Sequence, residues 1–138
     1  RERYASNLRI ISTHGNVSVK NPELDFARGD LMAAACPSRD VLRRLTGRWG
    51  MLVLRVLMQG PQRFSTLRRQ IGGISERMLA QTLQGLEADG MVLRRDFGTV
   101  PPHVEYQLTP LGLDAASRVD ALLGWIEDHL PSIARNWA

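Results

Sequence analysis

The chain is poor in cysteine, in histidine and in long apolar runs, and each scarcity excludes a class of protein. Its 138 residues include one cysteine, Cys36, so no disulfide framework can form within the chain. No apolar run is long enough to span a bilayer, and residues 1–20 lack the continuous apolar block of a signal peptide. These absences together predict a cytoplasmic protein that does not interact with a membrane.

Groups that would serve enzymatic chemistry are also sparse. The three histidines, His14, His103 and His129, are far apart in the sequence. There is no glycine-rich phosphate loop and no Cys/His pairing with the spacing of a zinc site. Because an enzyme needs a convergent set of polar groups, the sequence predicts no enzymatic activity, no cofactor and no bound metal.

Positive charge is concentrated in the middle of the chain and consists almost entirely of arginine. Residues 39–95 contain 11 arginines and 4 acidic residues, whereas residues 96–138 contain 2 arginines and 6 acidic residues. Arginine suits phosphate and guanine recognition. The distribution favours a polyanionic partner for the middle of the chain, with an ordinary mixed surface as the alternative.

Residues 1–35 read differently from the rest and form a predicted N-terminal extension or arm. The segment around Thr13-His14-Gly15-Asn16 is flanked by apolar residues and could form a short hairpin. The extension is a natural arm, a cloning remnant or sequence upstream of a misassigned start. A two-stranded ribbon is marginal alone, so we expect it to pack on its own domain or on a partner subunit.

From Pro37 onward the apolar spacing predicts four helices in succession. They cover residues 37–45, 49–58, 66–70 and 76–89, and the second is apolar enough to be the buried central helix. Ser65 is expected to cap the third helix and Ser75 the fourth. Gly72 and Gly73 form the turn between those two helices, so they make a helix-turn-helix.

Two strand-like runs and a final helix complete the pattern. Residues 91–97 and 103–108 are joined by residues 98–102 and predict a hairpin, or wing, directly after the helix-turn-helix. Thr109 then caps a last helix that begins at Pro110. The predicted fold class is mainly α with a small β-hairpin wing, a winged helix-turn-helix.

The fourth helix carries a polar face that suits DNA bases. Leu79, Leu83 and Leu86 share its core face, and the opposite face carries Arg77, Gln81 and Gln84. Arginine and glutamine have the donor and acceptor geometry for guanine and adenine edges in the major groove. We predict that these three residues read bases of a double-stranded DNA operator; an ordinary solvated face is the alternative.

Hydroxyl and guanidinium groups around the helix-turn-helix and the wing are candidates for the DNA backbone. Because neighbouring strand residues point to opposite sides of a hairpin, only one of the two wing arginines is expected to face DNA. The candidates are Arg63, Ser65, Thr66, Arg68, Arg69, Ser75, Arg94 and Arg95.

The last helix carries an apolar stripe of five residues: Leu111, Ala115, Val119, Leu122 and Ile126. A small winged helix leaves little core to cover such a stripe, so we predict that it forms the interface of a homodimer. Two-fold symmetry then predicts an inverted-repeat operator. The alternative is that the stripe packs within the subunit on the helix of Trp49.

The ordered set of motifs from Cys36 to about His129 resembles the HxlR-type winged-helix transcriptional regulators, and residues 36–134 form the predicted domain. The resemblance implies a bacterial or archaeal dimeric regulator of nearby genes; a winged-helix protein-interaction module without DNA binding is the alternative. Departures include Gly72, Gly85 within the fourth helix, and the wing tip at residues 96–99. The matching motifs are Cys36-Pro37, Gly47-Arg48-Trp49, Arg63-Phe64-Ser65, Gly73-Ile74-Ser75, Asp89-Gly90, Pro101-Pro102, Val104-Glu105-Tyr106 and Leu108-Thr109.

Cys36 is a candidate redox or electrophile sensor. Some members of the family that the chain resembles sense oxidants or quinones through a cysteine near this position. The N-terminus of the following helix favours a thiolate. The resemblance therefore suggests an oxidant or another small molecule as inducer, and the alternative is that Cys36 is a small buried apolar residue.

Overall fold

The structure, a computed structural model, describes residues 27–138. The hairpin expected near His14 lies outside the described residues. The described residues divide into two units, residues 27–43 and 44–138. The described elements are the helices Ser38–Thr46 (α1), Arg48–Leu57 (α2), Phe64–Gln70 (α3), Glu76–Ala88 (α4) and Pro110–Ala134 (α5), the strands Val92–Asp96 (β1) and Val104–Leu108 (β2), and a terminal 3₁₀ turn at Arg135–Trp137. The predicted fold class, mainly α with a β-hairpin wing, is confirmed.

The core of the second unit forms around α2, as its apolar composition predicts. Val53 and Leu54 on α2 have no exposed surface, and the apolar faces of α3, α4 and α5 pack around them. The deepest contributions from those helices are Leu67, Leu79, Leu83, Leu86 and Ala116. Burial of a leucine side chain stabilises the fold by about 1.5–3 kcal/mol, so this core holds the helix-turn-helix in place.

The turn between α3 and α4 forms as predicted, but the start of α3 does not. Gly73 adopts a φ of +85°, which glycine tolerates without strain, and the Ser75 hydroxyl accepts a hydrogen bond from the Met78 N–H. The predicted cap at Ser65 is wrong. Because Phe64 packs on the core, α3 begins at Phe64, with Arg63 as N-cap and no side-chain cap, so Ser65 lies within its first turn.

The wing is a two-stranded antiparallel hairpin that a third segment extends. β1 and β2 pair with Val92 opposite Leu108 and Arg95 opposite Glu105. Gln62, just before α3, exchanges two backbone hydrogen bonds with Tyr106, at 2.9 and 2.8 Å. The wing is therefore joined to the helix-turn-helix on both sides, through β1 after α4 and through Gln62 before α3.

The last helix is held to both the wing and α2. The Thr109 hydroxyl caps α5 by accepting from the Gly112 N–H, as predicted. A Cβ at Gly112 would overlap the carbonyl oxygen of Met91, so only glycine allows this close approach to the start of the wing.

None of the helices in residues 27–138 is long and apolar enough to cross a membrane.

A network of charges also joins α2 to α5. Arg55 donates to Asp120 at 2.6 Å and to both carboxylate oxygens of Glu127 at 2.7 and 3.0 Å. The hydrogen bonds to Glu127 and, to a smaller extent, the one to Asp120 raise the pKa of Arg55 above its ordinary value. The bond from Arg55 lowers the pKa of the Glu127 carboxyl. Because the network is largely exposed, we expect a modest contribution to stability.

Candidate nucleic-acid interface

The second helix of the helix-turn-helix, α4, presents the polar face that the sequence predicts. Arg77, Gln81 and Gln84 are all exposed, while the leucines of the opposite face are buried. Ser75, the residue before α4, caps the helix by accepting a hydrogen bond from the Met78 N–H. The cap fixes where α4 begins and therefore where the three side chains lie. Within residues 27–138, no ion pair occupies the Arg77 guanidinium. The face is thus available to a ligand that approaches α4, called the recognition helix below.

A neighbouring side chain crosses the recognition helix at Gly85. A Cβ at this position would lie 3.0 Å from Cδ of Arg44, and Arg44 continues past it to pair with Asp89. Glycine in a helix interior costs about 1 kcal/mol relative to alanine. The crossing of Arg44 gives the structural reason for this departure from helix propensity.

The candidate phosphate-binding residues around α3 lie together but are partly engaged with one another. Arg68 pairs with Glu76 at 3.0 Å, and Arg69 donates to the Thr66 hydroxyl at 3.4 Å. Ser65 and the two arginines are exposed, and Thr66 is half-buried. Since exposed contacts of this kind are weak, a phosphate could replace them.

Two further candidates are fixed by the turn and by the wing. The Ser75 hydroxyl is already used as the cap of α4, although the residue is exposed. Arg63 donates to the Pro102 carbonyl at 3.4 Å, so the entrance to α3 lies next to the wing loop. The structure therefore places one candidate, Arg63, beside the loop of the wing.

The two wing arginines point to opposite sides of the hairpin, as the alternation predicts. Arg94 pairs across the strands with Tyr106, which packs on the core, so Arg94 belongs to the core-facing side. Arg95 belongs to the outer side, and its guanidinium carbon lies 4.8 Å from the ring centroid of Phe97. Both arginines are exposed.

The apolar stripe of α5 divides between the subunit's own core and solvent. Ala115 and Val119 pack against the core, as the alternative interpretation of the stripe expects. Leu111, Leu122 and Ile126 are exposed. The exposed surface continues beyond the predicted stripe to Trp125 and Leu130, which are 51% and 48% exposed. Sequence spacing alone missed Trp125, although the pair Trp125 and Ile126 occurs in the sequence as an apolar signal.

Cys36 lies in the first unit, where two donors approach its sulfur. The Ser38 hydroxyl donates at 2.9 Å and the Asp30 N–H at 3.3 Å. Cys36 is 3% exposed, however, so a reagent reaches the sulfur only after a local movement. Among the described residues, no group of acidic residues, histidines and cysteine could hold a metal ion.

Comparison with known proteins gives a consistent picture. Residues 44–134 match the family described as HxlR-like helix-turn-helix. The chain is 56% identical over 105 residues to the uncharacterized HTH-type transcriptional regulator YtfH of Escherichia coli K12, covering 76% of this chain and 83% of that protein.

Two solved structures are similar over most of the described residues. The ytfH protein of Salmonella typhimurium is 53% identical, with a TM-score of 0.76, and the match covers 79% of this chain and 97% of that one. The redox regulator HypR in its reduced form is 33% identical, with a TM-score of 0.65, and the match covers 72% and 98%.

Proposed function

The chain belongs to the HxlR-like helix-turn-helix family and is a transcriptional regulator, and from this premise we propose that it binds a specific DNA operator as a homodimer. The observation that carries the proposal is the exposed face of Arg77, Gln81 and Gln84 on a helix whose opposite face is buried. In this proposal the recognition helix enters the major groove, where those side chains reach base edges.

The DNA backbone is bound by the surrounding hydroxyl and arginine side chains. Arg63 is the N-cap of α3, Arg68 and Arg69 lie in its last turn, and the wing supplies one of its two arginines, Arg94 or Arg95. Each phosphate that an arginine neutralises releases a condensed counterion, so binding should weaken steeply with salt. Ser65 and Thr66 add hydroxyl donors beside the arginines, while Ser75 acts by fixing the start of the recognition helix.

A second copy of the chain covers the exposed end of α5. The surface formed by Leu122, Trp125, Ile126 and Leu130 is apolar and exposed in the single chain, and exposed apolar patches of this kind mark interaction sites. We place the dimer interface there, with Leu111 at its edge, rather than on Ala115 and Val119, which the subunit's own core already engages. The operator is then an inverted repeat.

The test is selection of bound sequences from a random duplex library, followed by footprinting on the selected DNA. The proposal expects an inverted repeat with half-sites about one helical turn apart, near 10 base pairs centre to centre. It also expects affinity for heparin or mixed DNA that falls steeply with salt. Absence of both kinds of binding would leave a protein-interaction module, the alternative without DNA binding.

We further propose that Cys36 gives the regulator a response to oxidants. Support comes from the two hydrogen bonds to its sulfur and from the likeness to the redox regulator HypR. With one cysteine per chain, diamide would take two electrons and two protons from two Cys36 thiols of a dimer. The products are an intersubunit disulfide and the corresponding hydrazine. Such a bond, at the start of α1, would change how two subunits present their recognition helices.

A further inference from the structure

Four side chains on the outer face of the wing form a continuous chain of contacts. The Arg95 guanidinium lies over the Phe97 ring, at 4.8 Å from its centroid. The Phe97 ring meets the His103 ring edge to face, with centroids 4.7 Å apart and planes at 87°. His103 Nε2 lies 2.7 Å from a carboxylate oxygen of Glu105. A backbone hydrogen bond of 2.9 Å from Phe97 to His103 closes the hairpin beneath them.

The position of Glu105 makes this arrangement informative. Glu105 is the residue directly opposite Arg95 in the strand register, where an arginine and a glutamate would ordinarily form a cross-strand pair. Its carboxylate is instead engaged by His103. Across residues 27–138 the structure gives Arg95 no ion pair, and its guanidinium rests on an aromatic ring.

The contact with Phe97 leaves the arginine competent to bind an anion. The guanidinium carbon lies over the Phe97 ring, and an aromatic ring does not neutralise the five N–H donors of the guanidinium as a carboxylate would. An arginine held against a ring has fewer conformations to lose when its donors meet a phosphate. An arginine paired with Glu105 would first have to break that pair.

We propose that Phe97 and His103 are positioning residues for DNA binding: Phe97 holds the Arg95 guanidinium toward the DNA backbone, and His103 keeps Glu105 from neutralising it. This inference rests on the proposed function and adds to it that Arg95, not Arg94, is the wing arginine that binds phosphate. The class of ligand is a phosphodiester backbone, so the effect does not depend on operator sequence.

The experiment measures binding of the full chain to a mixed-sequence DNA duplex by fluorescence anisotropy over a series of salt concentrations. Arg95→Ala should reduce the salt slope by about 0.9, the value for one phosphate contact. Phe97→Leu should weaken binding about threefold, in line with the strength of an exposed cation–π contact. Phe97→Tyr keeps an aromatic ring and should bind DNA as tightly as the wild type. In an Arg95→Ala background, Phe97→Leu should change nothing further.

Arg94→Ala is the matched control, because it removes the same charge from the adjacent residue on the other face. Phe97→Leu should keep its full effect in that background. His103→Ala should also weaken binding, and adding Glu105→Gln should restore it, since no carboxylate then competes for Arg95. These substitutions lie on exposed or half-buried wing positions, and circular dichroism of each variant checks that it is folded.

Two outcomes would overturn the inference. One is a Phe97→Leu effect of the same size with and without Arg95; the other is failure of Glu105→Gln to restore binding in His103→Ala. In either case wild-type binding with a steep salt slope leaves the proposed function standing. If the wild-type protein shows no salt-dependent binding to DNA, both the proposed function and this inference are wrong.

Discussion

Arg44 donates two hydrogen bonds to Asp89, from Nε at 2.6 Å and from Nη2 at 2.7 Å, one to each carboxylate oxygen. The Asp89 side chain is 13% exposed, so this paired geometry is better shielded from solvent than the other ion pairs of the described residues. Arg44 crosses Gly85 to reach Asp89. The C-terminal end of the recognition helix is therefore fixed by a residue outside the helix-turn-helix.

Replacing Gly85 with alanine should change the free energy of unfolding by different amounts with and without Arg44. In Arg44→Ala, the substitution should raise the free energy of unfolding by about 1 kcal/mol, since alanine is the better helix former. In the wild type the gain should be smaller or reversed, because the new Cβ would lie 3.0 Å from Cδ of Arg44 and the side chain that pairs with Asp89 would have to shift. Urea unfolding of the four proteins measures the difference, and equal effects in both backgrounds contradict the role given to Gly85.

Arg77→Ala should lower affinity for the selected operator by about 1–3 kcal/mol and affinity for mixed DNA by much less, because a base contact carries sequence information and a phosphate contact does not. Arg118→Ala is the control, as Arg118 is an exposed arginine on α5 that pairs with Asp114. Equal losses on both DNAs would make Arg77 a backbone contact.

Trp125→Ala should weaken the dimer by about 2 kcal/mol or more, the usual loss when a central aromatic anchor is truncated. Sedimentation equilibrium over a range of concentrations measures the dissociation constant. Val100→Ala, which alters a nearly fully exposed wing residue, should leave the dissociation constant unchanged. Wild-type protein that is monomeric at micromolar concentration would exclude this interface.

Operator affinity should change on diamide treatment of the wild type but not of Cys36→Ser, because only the former can form an intersubunit disulfide. Non-reducing electrophoresis should show the corresponding covalent dimer in the wild type alone, and dithiothreitol should reverse both effects. If the wild type keeps the same operator affinity after diamide treatment, the prediction is wrong and Cys36 is structural.

The network of Arg55 with α5 should make a small part of the stability depend on pH. The pKa of Glu127 is lower in the folded state than its ordinary value of 4.5, so its contribution is present above that value. It is lost as the pH falls through the lowered folded pKa. Glu127→Gln should thus lower the thermal midpoint slightly at pH 7, and the difference should vanish in acid. Asp128→Asn is the control, because it removes a neighbouring carboxylate on the same helix that forms no ion pair within residues 27–138.

Local signals in the sequence were sufficient for the order of elements and for the core. Caps at Ser75 and Thr109 and the leucine spacing of the recognition helix each depend on neighbours within one or two turns, and the structure confirms them. The wing was also predictable, because its strands follow each other directly. The base-reading and backbone assignments remain predictions.

What sequence reasoning missed depends on residues that are distant along the chain. Arg55 meets Asp120 across 65 positions, and Gln62 pairs with Tyr106 as a single bridge without any periodic pattern. From the sequence, Gly85 is only an unfavourable residue inside a helix, because the side chain that it contacts, Arg44, lies on a much earlier helix. The misplaced cap at Ser65 has another origin: core packing of Phe64 outweighed a favourable local cap.

The close approach of Gly112 to the Met91 carbonyl has a mechanical consequence. No side chain separates the two backbones, and the Thr109 hydroxyl adds a hydrogen bond of 2.6 Å to the Gly90 carbonyl, so the root of the wing and the root of α5 cannot slide past one another. In the proposed dimer, we therefore expect a change in the angle between the paired α5 helices to move each wing in the same direction. Because the tip of the wing is far from this contact, a small tilt at the interface would displace the tip, and any DNA bound there, by a larger distance.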